Sequence, residues 1–248
     1  MLIIEGLIAG ALIGSVLGFI GAGGAMLSVP ILIYGFDFSA SHASTAALAV
    51  VLLAAASGLV PKFKSKDVLV KEALIISGLG LITNISTSLI AHNLSERFIL
   101  TGFSFVLLVA GFSMLVKPFD NGPERKMPVS VLILVSLIIG SMTGLFGIGG
   151  GFLAIPVLVL FFSVPQNKAS GTSLLIISLN SVIAFLGHYK IWPEVNWSTP
   201  IAMAISAVIV AQLASGKSAQ LSPVILKRAF AVLLFSISVI TLINAWIA

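Results

Sequence analysis

The chain contains no cysteine, so disulfides, thiolate metal sites and thiol relays are excluded from any mechanism it carries out. Charge is nearly as scarce. Asp, Glu, Lys and Arg make up 8% of the 248 residues, against about a quarter in a soluble domain, so the chain cannot cover a water-facing surface. The eight acidic residues are Glu5, Asp37, Asp67, Glu72, Glu96, Asp120, Glu124 and Glu194, all at the ends of apolar stretches or between them. A carboxylate proton relay through a membrane therefore has no residues to run on. No His/Asp/Glu cluster sits within an apolar stretch and no metal-ligand spacing is visible, which speaks against an intramembrane enzyme and implies no cofactor. Also missing is the regular polar/apolar alternation of a membrane β-barrel.

What is present is hydrophobic: 58% of the residues. Apolar runs such as Ala43 to Val60, Ala73 to Ala91, Phe98 to Val116, Pro200 to Ser215 and Val224 to Ile247 approach or reach the roughly 20 residues a helix needs to cross a bilayer. The fold class expected is all-α integral membrane. The first run carries Glu5, lacks a basic leader and is followed by no cleavage-like boundary, so it reads as part of the fold. The net charge of +5 comes from basic residues in short polar segments, where membrane topology accounts for them without nucleic acid.

Sliding the sequence by 126 positions matches Gly14–Leu32 (GSVLGFIGAGGAMLSVPIL) to Gly140–Leu158 (GSMTGLFGIGGGFLAIPVL), with nine of 19 positions identical. The identities include the glycines and Pro30/Pro156, which shared hydrophobicity alone would not align. The same shift pairs HASTAALAV at His42 with KASGTSLLI at Lys168, and the Lys62 segment with that at His188. Two homologous membrane repeats follow, 1–119 and 120–248, joined through the polar stretch Lys117 to Met127.

Leu2 to Tyr34 would be about 50 Å long as one helix, too long for one span and too short for two. Gly21-Ala22-Gly23-Gly24 is where it is expected to break, with a short helix ending near Pro30 or a few residues beyond. Loop charges decide how the broken segment runs. If it counts as one crossing, Lys and Arg divide 8 against 5 between the faces; if it returns as a hairpin or crosses twice, they divide 11 against 2. The sharper split follows the positive-inside rule. It places both termini outside, puts Trp192, Trp197 and Trp246 on that same face, and gives an odd number of embedded segments per half. The halves are then inverted repeats, each about four full transmembrane helices plus a Gly-broken, re-entrant or short helix, with 8 to 10 membrane segments in all. Transporters with this plan hold substrate near the midplane, where the breaks meet.

Helix termini pointing into a membrane cavity suit anions, and glycine lets a ligand approach the backbone. Gly21, Gly23, Gly24, Gly147, Gly149, Gly150 and Gly151 are candidates on that ground, although the same glycines could simply permit bending or packing. Gly10, Gly14 and Gly18, with Ser136, Gly140 and Gly144, follow the small-xxx-small spacing of helix packing. Ser44, Thr45, Thr172 and Ser173 either cap the helices that follow the breaks or donate to an oxyanion. Asn180, like Asn84 and Gln212, lies inside an apolar run, as interhelical glue or as a polar group facing the interior. His42 and His188 fall at span ends, where interfacial solvation explains them, and Lys62 to Lys66 read as a cytoplasmic loop.

At GFIGAGGAMLSVPIL and GLFGIGGGFLAIPVL, followed by HASTAAL and KASGTSL, the chain resembles the TauE/SafE family of sulfite and organosulfonate exporters. The resemblance implies an inner-membrane, multi-pass permease that exports small sulfur oxyanions, with a substrate path along the Gly-rich breaks and neighbouring hydroxyls. Expected partners are a small anionic substrate and the lipid bilayer, with no nucleic acid; a homo-oligomer is compatible with the sequence. Rival readings are an importer or channel for another small anion and, outside transport, a membrane scaffold.

Overall fold

The computed structural model describes residues 2–91, 95–116, 128–146, 151–218 and 220–247. These residues form ten α-helices and no strand. In chain order they are α1 (Leu2–Ile20), α2 (Gly24–Pro30, continued by a π turn Ile31–Gly35), α3 (Ala40–Lys64), α4 (Val70–Ala91) and α5 (Glu96–Val116). Then come α6 (Val129–Phe146), α7 (Gly151–Phe162), α8 (Gln166–Gly187), α9 (Ser198–Ser218) and α10 (Pro223–Ile247). By length and composition α1, α3, α5, α8, α9 and α10 can each cross a membrane.

The Gly-rich interruption has a backbone cause. Gly21 and Gly23 adopt φ of +82° and +89°, a left-handed region that costs glycine little and a residue with a Cβ considerably more. The helix stops at Ile20 and restarts at Gly24, and α2 with its π turn runs only about 18 Å, short of the hydrocarbon thickness. It ends five residues beyond Pro30, close to the expected boundary. The turn that follows recurs in the second half. Asp37 and Ser163 both have positive φ (55° and 54°), and Phe38 N donates to Leu32 O as Val164 N does to Leu158 O, each at 3.1 Å.

Lipid tails give helices little hydrophobic reason to associate, so close approach of small residues and interhelical hydrogen bonds do most of the holding. The seam between α1 and α9 is built this way. Gly10 lies against the Met203 carbonyl, Gly14 against Ala207 and Gly18 against Ala211 and Ala214, so α1 and α9 run parallel. Gly140 sits on Gly80 while Thr83 and Thr87 donate to Leu137 O (3.1 Å) and Ser141 O (3.0 Å), which makes α4 and α6 parallel as well. Ser57 donates to Val208 O at 2.8 Å and Ser215 to Gly58 O at 2.6 Å, tying α3 parallel to α9.

Two other pairs run antiparallel. Thr45 meets His188, Gly58 meets Leu174 and Lys62 meets Asn167 along α3 and α8. Thr101 meets Trp246, Ser104 meets Ser238 and Gly111 meets Phe235 along α5 and α10. Since α1 and α3 both follow α9, the chain between them must return to the end where α1 began, and α2 makes that return. Large apolar side chains such as Ile82, Phe98, Phe105 and Phe112 remain exposed, as a lipid-facing surface requires.

Candidate functional site

The two broken segments converge on one turn of α8. Gly21 lies so close to Ser170 that a Cβ there would strike its hydroxyl and backbone. Three residues on, Ser173 Oγ donates to Gly151 O at 2.7 Å, and Gly151 packs against Ile177. Positions three apart share a helix face, so Ser170 and Ser173 present one edge to both segments, about 4.5 Å apart along the axis. The α3–α4 connection closes over the same turn. Leu69 N donates to Thr172 Oγ1 at 3.0 Å, while Thr172 donates to Lys168 O at 2.7 Å and Gly171 packs under the Asp67 carbonyl.

The hydroxyls expected to face a ligand are thereby sorted. Thr172 and Ser173 are fully buried and commit their protons to carbonyls, so they fasten the loop and the second broken segment to α8. Ser170, equally buried, has an Oγ with no partner among the described residues. Gly23 faces Leu233 and Val16, and Gly24 faces Leu17, so both serve tight packing. Gly147, Gly149 and Gly150 lie outside the described residues.

Ser44 and Thr45 do not join this turn. Because α3 and α8 are antiparallel, the half-buried Ser44 and buried Thr45 lie at the other end of the pair, where Thr45 Oγ1 is 2.8 Å from His188 Nδ1. That is about 25 Å along α8 from Gly171. There His42 Nε2 also stands 3.4 Å from Glu194 Oε2. Asn180 lies between the ends, about 15 Å along α8 from Ser170, with a buried Oδ1 that has no partner among the described residues. Ser77 on α4 also carries an unpartnered hydroxyl. Its sequence separation from Asn180 equals that of the bonded pair Leu69 and Thr172, which puts both groups at one level on two neighbouring helices.

Lys62 corrects the loop expected over Lys62 to Lys66. It lies in the last turns of α3 beyond Pro61, and it is 1% exposed. Its Nζ donates to Ser218 Oγ at 2.7 Å and approaches Asn167 Oδ1 at 3.5 Å. Gln166, also 1% exposed, opens α8 with neither side-chain Oε1 nor Nε2 partnered among the described residues. The signal for Lys62 was in the sequence: it continues the stripe of buried residues Val51, Ala55 and Gly58, which repeats every three or four positions. At the 126-residue shift its counterpart is His188, and each of these basic groups sits against the first turns of the opposite helix.

This multi-pass membrane chain is similar to a probable membrane transporter protein of Xylella fastidiosa strain Temecula1, 27% identical and covering 96% of this chain and 94% of that one. It is also similar to the probable membrane transporter protein YunE of Bacillus subtilis, 30% identical over 84% of each. No solved structure matches it. Residues 6–241 match the family described as sulfite exporter TauE/SafE, and the chain belongs to that family of membrane transporters.

Proposed function

We propose that the protein is a secondary carrier of small sulfur-containing oxyanions, sulfite or organosulfonates, and moves them out of the cell. The observation that carries this reading is the convergence of both broken segments, through Gly21 and Gly151, on the Ser170–Ser173 turn of α8. Substrate bound there lies beside the start of α8, whose partial positive charge suits an anion. From that turn Asn180 Oδ1 and Ser77 Oγ, neither with a partner among the described residues, lead along α8 towards the Thr45–His188 end. An anion leaving a cell that is negative inside gains about 2.3 kcal/mol per charge per 100 mV, so export can run on membrane potential alone.

The architecture in this reading is two inverted repeats, 1–119 and 120–248, of five segments each, in the inner membrane. The shift that matches the halves sends α3 to α8 and α5 to α10, and both pairs run antiparallel. It also exchanges the α1–α9 seam with the α6–α4 seam. The 11-to-2 division of basic residues puts the Lys62 end of the bundle in the cytoplasm and both termini outside.

Efflux of labelled sulfite from proteoliposomes under an imposed potential tests the assignment. The carrier should empty vesicles faster than protein-free controls, and unlabelled short sulfonates should compete. If sulfite and sulfonates neither move nor compete while another anion does, the substrate is wrong; if no anion moves, transport itself is refuted.

A further inference from the structure

Lys62 is a buried cation whose two hydrogen-bond partners, Ser218 and Asn167, are neutral. It makes no ion pair among the described residues, and the carboxylate of neighbouring Asp67 accepts from Ser65 Oγ at 2.7 Å. Asp67 lies outside ion-pair distance and its charge offsets only part of the cost of burying the Lys62 ammonium, and proteins keep such a charge chiefly when something else supplies the rest. In the first turns of α8, the helix that Lys62 reaches through Asn167, three buried atoms have no partner among the described residues: Oε1 and Nε2 of Gln166 and Oγ of Ser170. Native interiors leave few such groups, and each calls for a partner that the fold itself does not provide.

These groups belong to one end of the α3–α8 pair. Gln166 and Ser170 are four residues apart and so lie on one face of α8. Asn167 links that first turn to the Lys62 ammonium, and Gly171 keeps the two helices close enough that a Cβ there would be 3.1 Å from Lys62 Cβ. No side chain caps the start of α8, so its leading N–H groups add partial positive charge.

We propose that Lys62, Gln166 and Ser170 form a binding site for one small oxyanion at the Lys-rich end of α8, which loads substrate beside the turn touched by both broken segments. Three donors, the Lys62 ammonium, the Gln166 amide and the Ser170 hydroxyl, answer the three oxygens of a sulfite or sulfonate group. All three side chains are at most 1% exposed, which admits a free ion but not a headgroup tethered to lipid chains. The inference deepens the transport reading and rests on it for the identity of the anion.

The test is titration calorimetry of sulfite into the purified full chain, in non-ionic detergent free of anionic lipid. Lys62→Met should weaken binding at least tenfold and Lys62→Arg less than fivefold. Ser170→Ala and Gln166→Met remove only atoms that have no partner, so both should stay monodisperse with an unchanged or raised melting temperature. Each should nevertheless weaken sulfite binding threefold or more. If all four variants bind within twofold of wild type, this site is refuted while sulfite efflux by the wild type still upholds transport. If wild-type protein binds no sulfite at millimolar concentration, the site is refuted outright, and efflux decides transport separately.

Discussion

Replacing Gly14 by alanine puts a methyl carbon 2.5 Å from the Ala207 carbonyl oxygen and 2.9 Å from Ala207 Cα. Such atoms normally sit about 3.5–4.0 Å apart, and both belong to backbone that cannot rotate away. The seam from Gly10 to Gly18 must therefore open by about 1 Å, a gap that forfeits roughly a quarter to a half of each contact's attraction. Overpacking of this kind costs about 1–3 kcal/mol. Working against it, alanine in a helix interior gains roughly 0.5–1 kcal/mol over glycine. Gly78→Ala isolates that gain, because no described residue lies within 4 Å of a Cβ at Gly78. The difference between the two variants is then the steric cost alone. At about 2–4 °C per kcal/mol for a chain of this size, Gly14→Ala should melt roughly 2–12 °C below Gly78→Ala in detergent. Equal melting temperatures would mean that the seam is looser than described and that the parallel α1–α9 pair is misplaced.

Gly21→Ala combines an unfavourable left-handed backbone, about 1–3 kcal/mol, with a collision at Ser170. It should lower the melting temperature and abolish efflux, and adding Ser170→Gly should recover part of the stability; no recovery would remove the contact between break and helix. Ser173→Ala leaves the Gly151 carbonyl without its donor, at about 0.6 kcal/mol for such bonds in membranes. Efflux should slow in that variant, and a wild-type rate would show that the bond does not position α7. Topology can be mapped with single cysteines introduced into a chain that has none of its own. In intact cells Ser39→Cys and Asn196→Cys should react with an impermeant maleimide and Ser65→Cys should not; the opposite pattern overturns the assigned orientation.

Much of the fold was legible because its causes are local. Glycines in a left-handed backbone mark the break, and the length of Leu2 to Tyr34 demands one. The small-xxx-small stripe on α1 reads directly as a close helix seam. The site was only partly legible, because hydrogen-bond assignment depends on which helices meet. The motif containing Thr172 and Ser173 lies on the turn of α8 that both broken segments touch, yet their protons hold carbonyls while the neighbouring Ser170 has no partner among the described residues. Ser44 and Thr45 match that motif in sequence but lie at the far end of the antiparallel α3–α8 pair, which no local pattern reveals. Lys62 was hidden by the habit of reading lysines at the end of an apolar run as loop, although its position continues the buried stripe of α3.

Anomalous diffraction from crystals grown with selenite, the heavier analogue of sulfite, tests the central claim most directly. The account predicts a selenium peak among Lys62, Gln166 and Ser170 or beside Gly21 on the same turn of α8, displaced by added sulfite. A peak only at the Thr45–His188 end, or one that sulfite does not displace, would contradict it.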